Sequence, residues 1–65
     1  MPKYPHIEVE LSGQDGNAFV IIGRTRQVLR DAGVPNDEIE AFSTEATSGD
    51  YGHVLKTVMQ TVEVT

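Results

Sequence analysis

The 65-residue sequence predicts an α+β fold, a small single domain ordered β-α-α-α-β, with three helices packed on a short two-stranded sheet. Three observations carry this. Residues 6–11 alternate polar and apolar, as a strand with one buried face does. Three stretches between residues 17 and 60 repeat apolar residues every three or four positions, with turn residues between them. Residues 62–65 then alternate again.

Residues 1–5 (Met1-Pro2-Lys3-Tyr4-Pro5) read as an extended N-terminal arm, because two prolines deny regular pairing. The domain proper is residues 6–65. In the first strand Ile7, Val9 and Leu11 point one way, and His6, Glu8 and Glu10 the other. Ser12-Gly13-Gln14-Asp15-Gly16 is a turn cluster. A helix follows from about Asn17 to Asp31, capped by Asp15 or Asn17. Its buried stripe gathers Ala18, Ile21, Ile22, Thr25, Val28, Leu29 and Ala32, and Gly33 stops it.

Val34-Pro35-Asn36 opens a second helix that runs to about Thr47. Asp37 and Glu38 suit its positive end, and Ile39, Phe42 and Ala46 form its apolar positions. Ser48-Gly49-Asp50 turns the chain into a third helix from about Tyr51 to Gln60. Its apolar series is Tyr51, Val54, Leu55, Val58, Met59 and Val62. Val62-Glu63-Val64-Thr65 fits a second strand beside the first, and it also fits an extension of the third helix.

Composition narrows the functional classes. The chain has 10 acidic and 5 basic residues, two His and no Cys, for a formal charge of −5. Without Cys there is no disulfide framework, thiolate metal site or Cys nucleophile. No apolar run approaches the ~20 residues that span a bilayer, and no signal peptide opens the sequence, so no membrane role and a cytoplasmic location are expected. The acidic balance disfavours nucleic acid as a partner. Residues 1–32 are balanced in charge, and the whole excess falls in residues 33–65. A domain this small buries only about 60% of its chain's surface, and its core rarely supplies more than about 3–5 kcal/mol. Homo-oligomer formation is therefore an open expectation.

Three constellations have residue types suited to binding. Gly13-Gln14-Asp15-Gly16-Asn17 leads into a helix N-terminus, where backbone N–H groups and the helix dipole favour an anion. It lacks the Gly-Lys-Ser/Thr of a nucleotide loop, and an ordinary capped turn explains it as well. Phe19, Gly23, Arg26 and Arg30 form a strip beside the buried stripe, with Arg24 on the opposite flank. A mid-helix glycine costs up to ~1 kcal/mol relative to alanine, so Gly23 asks for a close neighbour. The arginines suit phosphates, a planar base or carboxylates. Ser48, Asp50, Tyr51 and His53 cluster before the third helix. Adjacency in sequence does not make a triad, and Asp50 or Ser48 reads more simply as a cap. His6 and His53 are far apart, which disfavours a metal site. No nucleophile–base pair stands out, so no enzyme activity and no cofactor are expected.

Asp15-Gly16-Asn17-Ala18-Phe19, Ile22-Gly23-Arg24, Ala32-Gly33-Val34 and Glu45-Ala46-Thr47-Ser48-Gly49-Asp50-Tyr51 resemble a family of small, uncharacterised proteins encoded by bacteriophages, prophages and mobile elements. The resemblance spans residues 7–64. Gly52 stands where that family commonly has an acidic residue. The resemblance implies a phage-type accessory protein acting in the host bacterial cytoplasm, and it supplies no catalytic residue.

Two functional expectations follow. In the first, the protein binds and sequesters an anionic, nucleotide-like small molecule, such as a signal of host antiphage defence. Asn17, Phe19, Arg24, Arg26, Ser48, Tyr51 and His53 would contact it. In the second, an acidic protein-interaction module blocks a host protein through Asp37, Glu38, Glu40 and Glu45.

Overall fold

The computed structural model describes residues 2–11 and 17–65. The elements follow the order β1 (Tyr4–Val9), α1 (Ala18–Asp31), α2 (Asn36–Ala46), α3 (Tyr51–Thr61) and β2 (Val62–Val64). This is the expected α+β architecture. The glycine turn at 12–16, with its expected anion site, lies outside the described residues.

Each helix boundary has a local cause. Asn17 caps α1 by accepting the Phe19 N–H at 2.8 Å. At the other end Gly33 has φ of 86°, and its N–H bonds to Arg30 O while the Val34 N–H bonds to Leu29 O, both at 3.0 Å. These paired bonds form a Schellman stop, which needs the left-handed conformation that glycine adopts without strain. Ala32, expected on the buried stripe, is exposed, because it lies past the last helical turn. In α2, Pro35 is the N-cap, the Asp37 carboxylate accepts the Glu38 N–H, and Thr47 is the C-cap. Asp50 caps α3 by accepting the His53 N–H at 2.9 Å.

The C-terminal ambiguity resolves at Val62. Its N–H still bonds to Val58 O, yet its backbone is extended, with φ of −134° and ψ of 168°. The helix therefore ends at Thr61, and β2 begins directly. β2 pairs with β1 in parallel, Tyr4 to Val62, Glu8 to Glu63 and Val9 to Val64, with an irregularity between Tyr4 and Glu8. A parallel pair needs a long crossover, and the three helices provide it. β1 starts two residues earlier than the alternation suggests, taking in part of the expected arm. Pro5 is tolerated because it sits in the irregular stretch, where regular ladder pairing is interrupted.

The core joins Ile7 and Val9 of β1, Ile21, Ile22 and Leu29 of α1, Ile39, Phe42 and Ala46 of α2, Val54 and Val58 of α3, and Val62. Thr25 and Thr57 are buried with them, each hydroxyl donating to a carbonyl one turn earlier in its own helix. Among the described residues no helix is long and apolar enough to cross a membrane.

Candidate functional site

Most of the acidic residues expected to form an interaction face on α2 are bonded within the chain. Glu38 accepts the Lys3 ammonium at 2.6 Å and the Tyr4 hydroxyl at 3.1 Å, tying α2 to the start of β1. Glu40 accepts an Arg26 N–H at 2.8 Å, tying α2 to α1, and Arg26 also donates to the Ser43 hydroxyl. Glu45 meets the His53 Nε2 at 2.9 Å, tying α2 to α3. The hydrogen bonds from Lys3 and Tyr4 hold the Glu38 carboxyl below the usual carboxylate range. The bond to Glu38, and then its charge, raise Lys3. Burial, and then the bond it donates to Glu38, raise the Tyr4 phenol.

The seven expected ligand contacts divide into separate groups. Asn17 is the cap of α1. Phe19 is 81% exposed at the start of that helix. Arg24 is exposed on it, while Arg26 is drawn onto α2. Gly23 has no close neighbour: a Cβ there would meet nothing within 4 Å. Among the described residues, no packing neighbour therefore accounts for this glycine.

Ser48 and His53 do come together, with Glu45 as a third member. The Ser48 hydroxyl lies 3.2 Å from His53 Nε2, and the Glu45 carbonyl and carboxylate oxygens are each 2.9 Å from that same nitrogen. A hydrolytic triad needs the serine on one ring nitrogen and the acid on the other. Here all three contacts converge on one nitrogen. Carrying its proton there, the ring donates to the carbonyl and carboxylate of Glu45 in the last turn of α2 and acts as a clamp between α2 and α3. Asp50, read from the sequence as a cap, accepts the His53 backbone N–H. Among the described residues, no three His, Asp or Glu side chains form a group that could hold a metal.

Tyr51 and Met59, expected in the core series of α3, are exposed by 44% and 62%. The buried face of α3 is centred on Val54, Thr57 and Val58, which turns the flank with Tyr51, Gly52, Lys56 and Met59 to solvent. A groove of about 460 Å³ runs along this flank, lined by Pro2, Gly52, Leu55, Lys56, Met59 and Gln60. Among the described residues, Lys56 is its one ionisable lining residue. A second crevice, of about 200 Å³, lies where Tyr4 meets α2 and α3, and is bordered by Lys3, Glu38, Phe42 and Gln60.

The expected site did not include this groove. Its sequence signal was the excess width of the apolar series in α3: Tyr51, Leu55 and Met59 stand four residues apart on a different line from Val54 and Val58. The core covers the Val54 and Val58 line fully and reaches only Leu55 of the other. Comparison with models of known families, with curated proteins and with solved structures finds no match for this chain.

Proposed function

We propose that this chain is a non-catalytic binding protein that works by surface contact, seating the α3 groove on a protein partner. The observation that carries the reading is the groove itself, with Met59, 62% exposed, among its lining residues. A 65-residue domain has few apolar side chains to spare from its core, and exposed apolar patches mark interaction sites. The partner that fits presents an apolar ridge for Leu55 and Met59 and a carboxylate for Lys56 beside them. In the phage-type accessory role that the resemblance implies, it is a host protein, and capture blocks it.

The small-anion reading has weaker support in the geometry. Arg26 is engaged by Glu40 and Ser43, and His53 by Glu45. An anion would have to displace these carboxylates.

The test is capture from bacterial lysate by the tagged protein, followed by the same experiment with Met59→Asp and with Arg24→Ala. A stoichiometric partner retained by wild type and by Arg24→Ala, and lost with Met59→Asp, supports the groove. Capture that survives Met59→Asp rejects it. A phosphate-bearing compound seen on the fresh protein by native mass spectrometry, and released on denaturation, would put nucleotide sequestration in its place.

A further inference from the structure

The outer edge of β1 carries an inference independent of the groove. The Thr65 N–H bonds to Val9 O at 2.9 Å, and the Leu11 N–H bonds to Thr65 O at 3.2 Å. The backbone groups of Val9 and Leu11 therefore face β2. Successive residues of an extended chain direct these groups to opposite sides, which turns the N–H and C=O of Glu8 and Glu10 to the other edge. The sheet has only β1 and β2, so among the described residues no strand lies beside that edge. The side chains of His6, Glu8 and Glu10 are all exposed, on the face of β1 turned away from the core. Open edges of this kind recruit another extended chain.

We propose that the occupant is a second copy of this chain, pairing β1 with β1 antiparallel about a two-fold axis at Ile7. Charge and register select this arrangement. With Ile7 opposite Ile7, His6 of each copy stands opposite Glu8 of the other, so an imidazole N–H meets a carboxylate twice. A shift by two residues in one direction sets Glu8 against Glu8, and directly opposed like charges destabilise a sheet. The opposite shift sets His6 against His6 and Glu8 against Tyr4, whose hydroxyl already donates to Glu38. In the favoured register Pro5 stands opposite Val9, whose backbone is turned to its own β2, so the missing proline N–H is not needed. The His6 and Tyr4 rings meet in a T-shaped contact, with centroids 6.4 Å apart and planes at 79°, which restrains the imidazole. The product is a four-stranded sheet, β2-β1-β1-β2, continuous across the axis. A self-complementary patch of this kind closes on two copies and stops.

Sedimentation velocity across a concentration series tests this, with circular dichroism verifying that each variant folds. The wild type is expected to dimerise. His6→Glu places like charges opposite at both symmetric positions, and should weaken the dimer by about tenfold or more. Adding Glu8→Lys to His6→Glu exchanges the two charges and should restore it. Met59→Asp, on α3, should leave it unchanged. A wild type that is monomeric at every concentration overturns the proposal. So does a dimer indifferent to His6→Glu, or one lost with Met59→Asp, which would move the interface to the groove.

Discussion

A Cβ built at Gly23 meets nothing within 4 Å, whereas one at Gly49 falls 2.9 Å from Cβ and Cγ of His53. Alanine therefore acts in opposite directions at the two glycines. Gly23 sits in an exposed helix interior, so Gly23→Ala should stabilise by about 0.5–1 kcal/mol through helix propensity alone. Gly49→Ala must push the imidazole off the end of α2, and should cost about 1–2 kcal/mol as an overpacked contact. Urea denaturation midpoints of both variants check the pair. If Gly23→Ala gains nothing, the helix-propensity account of this position fails. The role of Gly49 was not legible in sequence. Ser48-Gly49-Asp50 reads as a turn on composition, and the clearance for His53 exists only once α2 and α3 are packed. The cap at Asp50 was legible, because an Asp just before an apolar helical series carries its reason locally.

At the scale of elements, α2 is the hub, since Glu38, Glu40 and Glu45 bind β1's N-terminal end, α1 and α3 respectively. The sequence marked these residues as acidic and exposed, and helical spacing told where each faced. It carried no information on which distant side chain each would meet, because those partners lie 35, 14 and 8 residues away. The Glu38 contact makes stability depend on pH. Its carboxyl is held low in the folded chain, so the contribution is present above the ordinary carboxylate range and is lost as pH falls through the lowered folded value. Lys3 and Tyr4 are raised, so their contributions are present at neutral pH and are lost in strong alkali. Glu38→Gln should therefore be less stable than wild type near about pH 7, with the difference shrinking as the pH falls below the ordinary carboxylate range. Chemical denaturation at a series of pH values measures that gap, and a gap of constant size would mean that the Glu38 charge contributes nothing. The helices and strands themselves were readable to within a residue or two, except at β1, where the prolines concealed the first two strand residues. The direction of pairing was not readable, since alternation looks the same in parallel and antiparallel strands.

The whole molecule exposes 4033 Å², close to the roughly 4,100 Å² that surface scaling gives for its mass. Its radius of gyration is 10.6 Å, against about 10.7 Å for a compact chain of this length. Such a domain depends on every core residue, and Val62 joins α3 to β2 with no exposure at all. Val62→Ala should cost about 2 kcal/mol, a large share of the roughly 3–5 kcal/mol available to so small a core. Thermal melts followed by far- and near-ultraviolet circular dichroism should fall together to a much lower midpoint, as a two-state domain requires. Helices that outlast the tertiary signal would instead mean that the sheet is an appendage. The parallel pairing of β1 with β2 also has a mechanical consequence. The chain enters the domain at the Tyr4 end of β1 and leaves at the Thr65 end of β2. Tension along the polypeptide, as from an unfolding machine that threads a substrate, would draw the two strands lengthwise in opposite directions. Their shared hydrogen bonds would bear that load together, in shear, and would not open one at a time. Forced unfolding is governed by the unfolding rate, so the domain would resist being pulled apart by its ends better than its equilibrium stability suggests.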